Sequence, residues 1–321
     1  MSPSAAPHYA QLHQATSTLI EQIENNNMST QLAASAASIA RISLHDPNNF
    51  NIQHSQTLHR LTLLQHWTIP TGSEVLELGC GQGDCTTVLA SAVGDQGSVV
   101  AVDPADLDYG SPYTLAQAQS HISQSPLGSR ISWIQQSPLT YLTSLPPSSS
   151  MTFDATILVH SLWYFSAPSL ILSTFRAVRQ HSKRLLLAEW ALVATHPSAQ
   201  PHVLAALAQA ALECRKPGDS SDSNVRTVLG PKRLTELAVE AGWKVEREEY
   251  VEAGEGLLDG SWEVAACLDG EFEEEVRRVV GDERERAVVL AARDACETSL
   301  KGVEGGRKGV RSMDVWVASF V

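Results

Sequence analysis

Residues Glu74 to Asp103, EVLELGCGQGDCTTVLASAVGDQGSVVAVD, constrain the fold of this chain more than any other stretch. Val75, Leu76 and Leu78 form a short apolar run that suits a strand buried on both faces of a parallel sheet. Gly79, Gly81 and Gly83 follow at every second position. Such a turn lets the backbone come close to a ligand. From Cys85 to Val93 the apolar residues recur at helical spacing, and Val99 to Val102 makes a second buried strand that ends on Asp103. The order is strand, glycine turn, helix, strand, and an acid about twenty residues past the turn suits a ribose.

The rest of the chain continues that alternation. The spacing predicts further strands at Arg130 to Gln136, Phe153 to Val159, Arg184 to Ala188, Trp243 to Val251 and, in MDVWVASF, at the end of the sequence. Helices are predicted at Thr114 to Ile122, from Ser137-Pro138 to Leu142, at Pro168 to Val178, Pro201 to Cys214 and Leu234 to Ala241, and in two charged stretches, about Glu271 to Val280 and Asp282 to Leu300. Ahead of the sheet lie two amphipathic helices, roughly Tyr9 to Glu24 and Thr30 to Ile42, a turn-like HDPNNFN segment, and a helix capped by Ser55 that runs to Leu64. This argues for an α/β fold, one doubly wound, mostly parallel sheet with an N-terminal helical cap over residues 1–70. Residues 71–321 form the nucleotide-binding domain, with a lid insertion at about 195–229, where KPGDSSDSN is polar, and a helical insertion at about 253–311 before the last strand.

Composition excludes several classes. A chain of 321 residues that is 43% hydrophobic can bury a large core. Its net charge of −13 argues against a nucleic-acid backbone or an anionic membrane as partner. The five cysteines are scattered without a C-x-x-C pair, which suggests neither disulfide framework nor metal site. With no leader-like N-terminus or long apolar run, a cytoplasmic location is expected. The alanine-rich stretch Gln31 to Ile42 offers a face for a homodimer.

A helix that opens behind a glycine turn presents unpaired N–H groups and a positive dipole end, which suits a pyrophosphate. The dinucleotide fingerprint is G-x-G-x-x-G, however. This chain has G-x-G-x-G, with Glu77 before it and Asp84 after it. Two carboxylates repel a pyrophosphate and favour a ligand with a cationic end, such as the ammonium and sulfonium of S-adenosylmethionine. Asp84 serves equally as a first-turn helix acid.

ELGCGQG, VVAVD and FDATILVHSLWYF resemble the class I S-adenosylmethionine-dependent methyltransferases over about Gly72 to Trp190. GCGQGDCT, DYGSP and HSLWYF are more narrowly similar to fungal small-molecule methyltransferases. The resemblance implies a Rossmann-like seven-stranded sheet in the order 3-2-1-4-5-7-6 with the last strand antiparallel. It implies that Gly79, Gly81 and Gly83 line the methionine part, with Cys80 between them. Glu77 lies beneath, Asp103 takes both ribose hydroxyls and Pro104 follows it. His160 and Ser161 would flank the methyl group. The family's usual acid for the adenine amino group is replaced by Gln136 and Ser137, so that contact falls to a hydroxyl, an amide or backbone.

The resemblance further implies methyl transfer to a small-molecule acceptor, with S-adenosylhomocysteine as product. His160 is the candidate base, since imidazole titrates near neutrality, although it could serve as a structural histidine. Tyr109 lies near the expected adenosine, and Glu189 ends the fifth strand as either a participant or a loop cap. Trp163, Tyr164 and Phe165 either wall the pocket or complete the core. Asn51, Gln53 and His54 could contact substrate from the cap. Two other readings stay open: the same fold catalysing a pericyclic or other rearrangement, and a cofactor-binding regulatory protein without turnover. No metal is expected, because no histidine has a partner at ligand spacing.

Overall fold

The computed structural model describes residues 30–146, 152–216, 221 and 223–321. Its strands are β1 (Glu74–Leu78), β2 (Ser98–Asp103), β3 (Ile131–Gln135), β4 (Ala155–Val159), β5 (Leu185–Trp190), β6 (Val245–Val251) and β7 (Val315–Phe320). They form one sheet in the order β3-β2-β1-β4-β5-β7-β6, the order implied by the resemblance. β1 to β5 pair in parallel, while β7 lies antiparallel between β5 and β6.

The helices are α1 (30–40), α2 (Phe50–Leu64), α3 (Asp84–Val93), α4 (Leu115–Ser123), α5 (Pro138–Ser144), α6 (Pro168–His181), α7 (Gln200–Glu213), α8 (Pro231–Glu240), α9 (Asp259–Leu268), α10 (Gly270–Val279) and α11 (Glu283–Lys301). Successive strand residues point to opposite faces. Val75 and Ile157 therefore join one core with Val88 and Leu89 of α3. Leu76, Leu78 and Leu158 join another with Ile171, Phe175 and Val178 of α6. With helices on both faces, the central strands need largely apolar sequence, and they have it apart from the buried Glu77, Thr156 and Glu189.

Local chemistry sets the element ends. Thr114 and Gln117 form a reciprocal capping box at the start of α4. Ser137 caps α5 and Pro138 opens it. The expected helix start at Ser55 is corrected: α2 begins at Phe50. Asp46 accepts the N–H of Asn48, and a 3₁₀ turn, Pro47–Asn49, leads directly into the helix, so the turn-like HDPNNFN is the helix entry. α9 was not foreseen, because Gly254, Gly256 and Gly260 mask its start. Gly260 is required there, since a Cβ would meet the backbone of Arg311 and Ser312.

Ile39, Leu63, Leu64 and Trp67 of the N-terminal region are buried in the same core as the sheet. Ala36, Ile39 and Ala40 of α1 are buried within the chain itself. α7, α9, α10 and α11 share a further apolar cluster, which includes Ala205, Leu212, Val264, Phe272 and Val289. The predicted helix at Tyr9 to Glu24, and 217–220 and 222 of the polar KPGDSSDSN loop, lie outside the described residues. Among the described residues no helix is long and apolar enough to cross a membrane.

Candidate active site

The glycine turn is tied to β2. Gly79 N–H and Cys80 N–H both donate to the Val102 carbonyl, at 2.8 and 3.2 Å. Gly79 has φ +83° and a Cβ there would overlap Ser161, so packing alone demands glycine. Gly81 differs. At φ +51°, its missing Cβ faces nothing within 4 Å, which leaves an open surface over which a ligand can lie. Asp103 Oδ2 accepts the Gly81 N–H at 2.8 Å and Oδ1 accepts the Ala105 N–H at 2.9 Å. These bonds fix the carboxylate beside the turn, and each oxygen keeps a second lone pair. Pro104, which follows Asp103, is exposed.

Glu77 shares the face of β1 that carries Val75 and is 2% exposed. It accepts the Thr86 hydroxyl at 2.6 Å. Burial lifts its pKa to about 7, opposed by the Thr86 and Cys85 hydrogen bonds and assisted by Asp103 and Asp84. The sign follows from linkage: between the ordinary glutamate range and about pH 7 the folded chain holds a proton that the unfolded chain has lost, so stability falls as pH rises. Urea denaturation at a series of pH values is expected to show a loss of about 3 kcal/mol across that window, and Glu77→Gln is expected to abolish the slope. The Cys80 thiol is pushed far above its usual range by burial, then by Glu77 and Asp103, so it packs as a neutral group. Asp84, in the first turn of α3, accepts the Gln53 amide from α2 at 2.8 Å.

Across the turn, Ser161 donates to the Leu78 carbonyl at 2.9 Å, which places His160 next to the glycines. His160 adopts φ +51°, a left-handed conformation uncommon outside glycine and a mark of a constrained site. Its ring stacks on Trp190 at 4.1 Å. Nδ1 lies 3.5 Å from Glu189 Oε1, and Nε2 lies 2.8 Å from Nε2 of His59. Glu189 is 1% exposed and accepts the N–H groups of Leu162 and Trp190 at 2.9 and 3.0 Å. His202 of α7 stands edge-on to Trp190 and accepts the Met313 N–H. Burial lowers its pKa to about 4, with Asp259 opposing and His160 assisting.

His59 and His202 were not singled out by the sequence. A signal existed in α2, where Gln53, Gln56, Thr57 and Arg60 surround His59 on a face that packs inward without a leucine stripe. His54 lies near the Ala33 carbonyl at 3.3 Å, and Asn51 is exposed. Trp163 is buried, with its indole N–H on the Leu229 carbonyl. Tyr164 is 48% exposed, yet its phenol is pushed up by desolvation and then by Glu263, Tyr109, Glu189 and Asp259. Tyr109 itself is half-exposed and donates to Asn224 at 3.2 Å. The Ser137 hydroxyl is engaged with Thr140 in capping α5, which leaves the exposed Gln136 beside the end of β3.

A model for a methyltransferase domain matches residues 75–184, and one for protein-L-isoaspartate(D-aspartate) O-methyltransferase matches 16–120. The chain is 31% identical to Methyltransferase phomM' of Diaporthe leptostromiformis over 286 residues, 78% of this chain and 74% of that one. It is 30% identical to Methyltransferase phomM of the same organism, with the same shares covered. A solved structure of a cyclopropane-fatty-acyl-phospholipid synthase-like protein from Lactobacillus casei superposes with TM-score 0.75 at 29% identity, covering 89% of this chain and 98% of that one.

The residues present fit S-adenosylmethionine. Gly81 leaves its surface open, and Asp84 and Asp103 place carboxylates around the turn, where a sulfonium and an ammonium are favoured over a phosphate. Sheet order, glycine turn, acids and relatives agree: the chain belongs to the class I S-adenosylmethionine-dependent methyltransferases.

Proposed function

We propose that the methyl group passes to a heteroatom of a small molecule, and that His160, backed by Glu189, takes up the proton that this atom loses. The observation that carries this reading is the His160–Glu189 contact, held at the ends of β4 and β5 and joined through Ser161 to the glycine turn. When bound, S-adenosylmethionine supplies an electrophilic methyl carbon on a sulfonium centre. The protein's part is to align the acceptor, exclude water and accept a proton.

In this reading Gly79, Gly81 and Gly83 carry the methionine end, Asp103 holds the ribose hydroxyls and the Gln136 amide meets the adenine. α1 and α2 form the cap on one side of the acceptor. The lid and helical insertions, about 195–229 and 253–311, enclose the other, with Tyr109 and Tyr164 on its wall. Five free cysteines support a reducing, cytoplasmic setting. Incubation with methyl-labelled S-adenosylmethionine and a library of amines, alcohols and thiols is expected to release S-adenosylhomocysteine and a product heavier by one labelled methyl. Cofactor binding without any release of S-adenosylhomocysteine would overturn it.

The two glycines separate fold from binding. Gly79→Ala combines a left-handed alanine with the Ser161 overlap and is expected to cost at least ~3 kcal/mol in chemical denaturation. Gly81→Ala is expected to cost only about 1–2 kcal/mol, yet to weaken S-adenosylmethionine binding at least tenfold by calorimetry, because its methyl occupies the open surface.

A further inference from the structure

His160 has no nitrogen to spare for an acceptor. Nδ1 is buried 3.5 Å from Glu189 without a hydrogen bond, Nε2 meets His59, one ring face lies on Trp190, and the side chain is 8% exposed. The 2.8 Å contact between the two Nε2 atoms requires one to donate and the other to accept. Glu189 decides which. Both of its oxygens accept backbone N–H groups, and the buried His160 Nδ1, 3.5 Å from Oε1 and otherwise unpartnered, is the nitrogen that faces an acceptor, so His160 presents N–H from Nδ1 toward it. His160 Nε2 is then the acceptor and His59 Nε2–H the donor. The lone pair at the outer end of this trio belongs to Nδ1 of His59.

We propose that His59 is the group that meets the acceptor's proton, and that His59, His160 and Glu189 form a relay which delivers the resulting charge to His160. This rests on the reading of His160 and Glu189 as the base. As the acceptor atom bonds to the methyl carbon, the carbon–sulfur pair leaves on sulfur. The acceptor's X–H pair stays on X, its proton goes to His59 Nδ1, and the proton on His59 Nε2 moves to Nε2 of His160. His59 ends neutral with its hydrogen on Nδ1, and His160 ends as an imidazolium beside the Glu189 anion.

The surroundings favour that end point. A cation on His59 is opposed by burial first, then by His160 and Arg60, which hold its pKa well below the usual range. On His160 the same charge faces Glu189 and lies against the Trp190 ring, where a cation–π contact adds to the attraction. His202 from α7 stays neutral, with Asp259 of α9 acting on it, and the Tyr164 phenol is pushed up by burial first, with Glu189 among the acids acting on it. Without the relay, burial would leave the acceptor's proton nowhere favourable to go.

The test is long-range proton–nitrogen NMR of the full chain, labelled with nitrogen-15 at histidine and saturated with S-adenosylhomocysteine. Signals are assigned by their loss in His59→Gln or His160→Gln, either variant being sufficient. At the alkaline end His59 is expected as the Nε2–H tautomer and His160 as Nδ1–H. On acidification His160 gains its second proton and His59 switches to Nδ1–H in the same step. If His160 becomes doubly protonated while His59 keeps its original tautomer, the relay is overturned and the base reading survives. If His160 stays neutral throughout, both fall. A His59 that carries its hydrogen on Nδ1 at the alkaline end also overturns the relay.

Discussion

Replacing Asp103 by alanine is expected to weaken S-adenosylmethionine binding at least a hundredfold, measured by titration calorimetry. The carboxylate accepts the Gly81 and Ala105 N–H groups, so its removal strips two backbone donors of their partner as well as taking away the proposed ribose contact. Hydrogen bonds to a charged group contribute roughly 1.5–3 kcal/mol each, and two ribose hydroxyls together exceed a factor of one hundred. Asp103→Asn is expected to fall between the two, since its amide can accept on one side only. Wild-type affinity in Asp103→Ala would remove this residue from the cofactor site.

The second large effect concerns turnover. His160→Asn is the informative change, because asparagine tolerates the left-handed backbone that His160 adopts. Loss of a positioned base typically lowers rate by about 10²–10⁴, and that drop is expected in the rate of S-adenosylhomocysteine formation with any acceptor found by the library assay. Cofactor affinity is expected to stay within about threefold, since the glycine turn and Asp103 are untouched. A parallel collapse of cofactor binding would instead mark His160 as a prop for the turn. Glu189→Gln removes the anion and, since its amide keeps one oxygen, can still accept from only one of the Leu162 and Trp190 N–H groups, so a loss of rate of about tenfold or more is expected.

The sheet was legible because its physics is local. A strand buried on both faces must be largely apolar, and β1, β2, β4 and β5 read that way directly from the residues, with the buried Glu77 and Glu189 as the exceptions that mark the site. The glycine turn was equally plain, since Gly79, Gly81 and Gly83 each adopt positive φ. The site was legible only where it follows a strand, at Asp103, His160 and Glu189. His59 and His202 lie inside helices, and their burial depends on how α2 and α7 meet the ends of β4 and β5. That packing leaves no periodic trace. α2 was mistimed for a related reason: Asp46 and Pro47 start a turn that continues into the helix, and the sequence signals of a turn and of a helix entry are the same residues.

The insertion between β6 and β7 leaves and rejoins the sheet at adjacent positions, because Val251 and Val315 are register partners. Everything between them is a closed excursion from one rung of a ladder. Loop length enters closure entropy only logarithmically, at about 0.6 kcal/mol per doubling. The sheet therefore experiences a long helical excursion almost as it would a short turn. Much of the segment's apolar cluster lies in α9, α10 and α11 and is completed by Ala205, Ala208 and Leu212 of α7, so the segment could be exchanged between chains that share the β6–β7 rung only together with the α7 face it packs on.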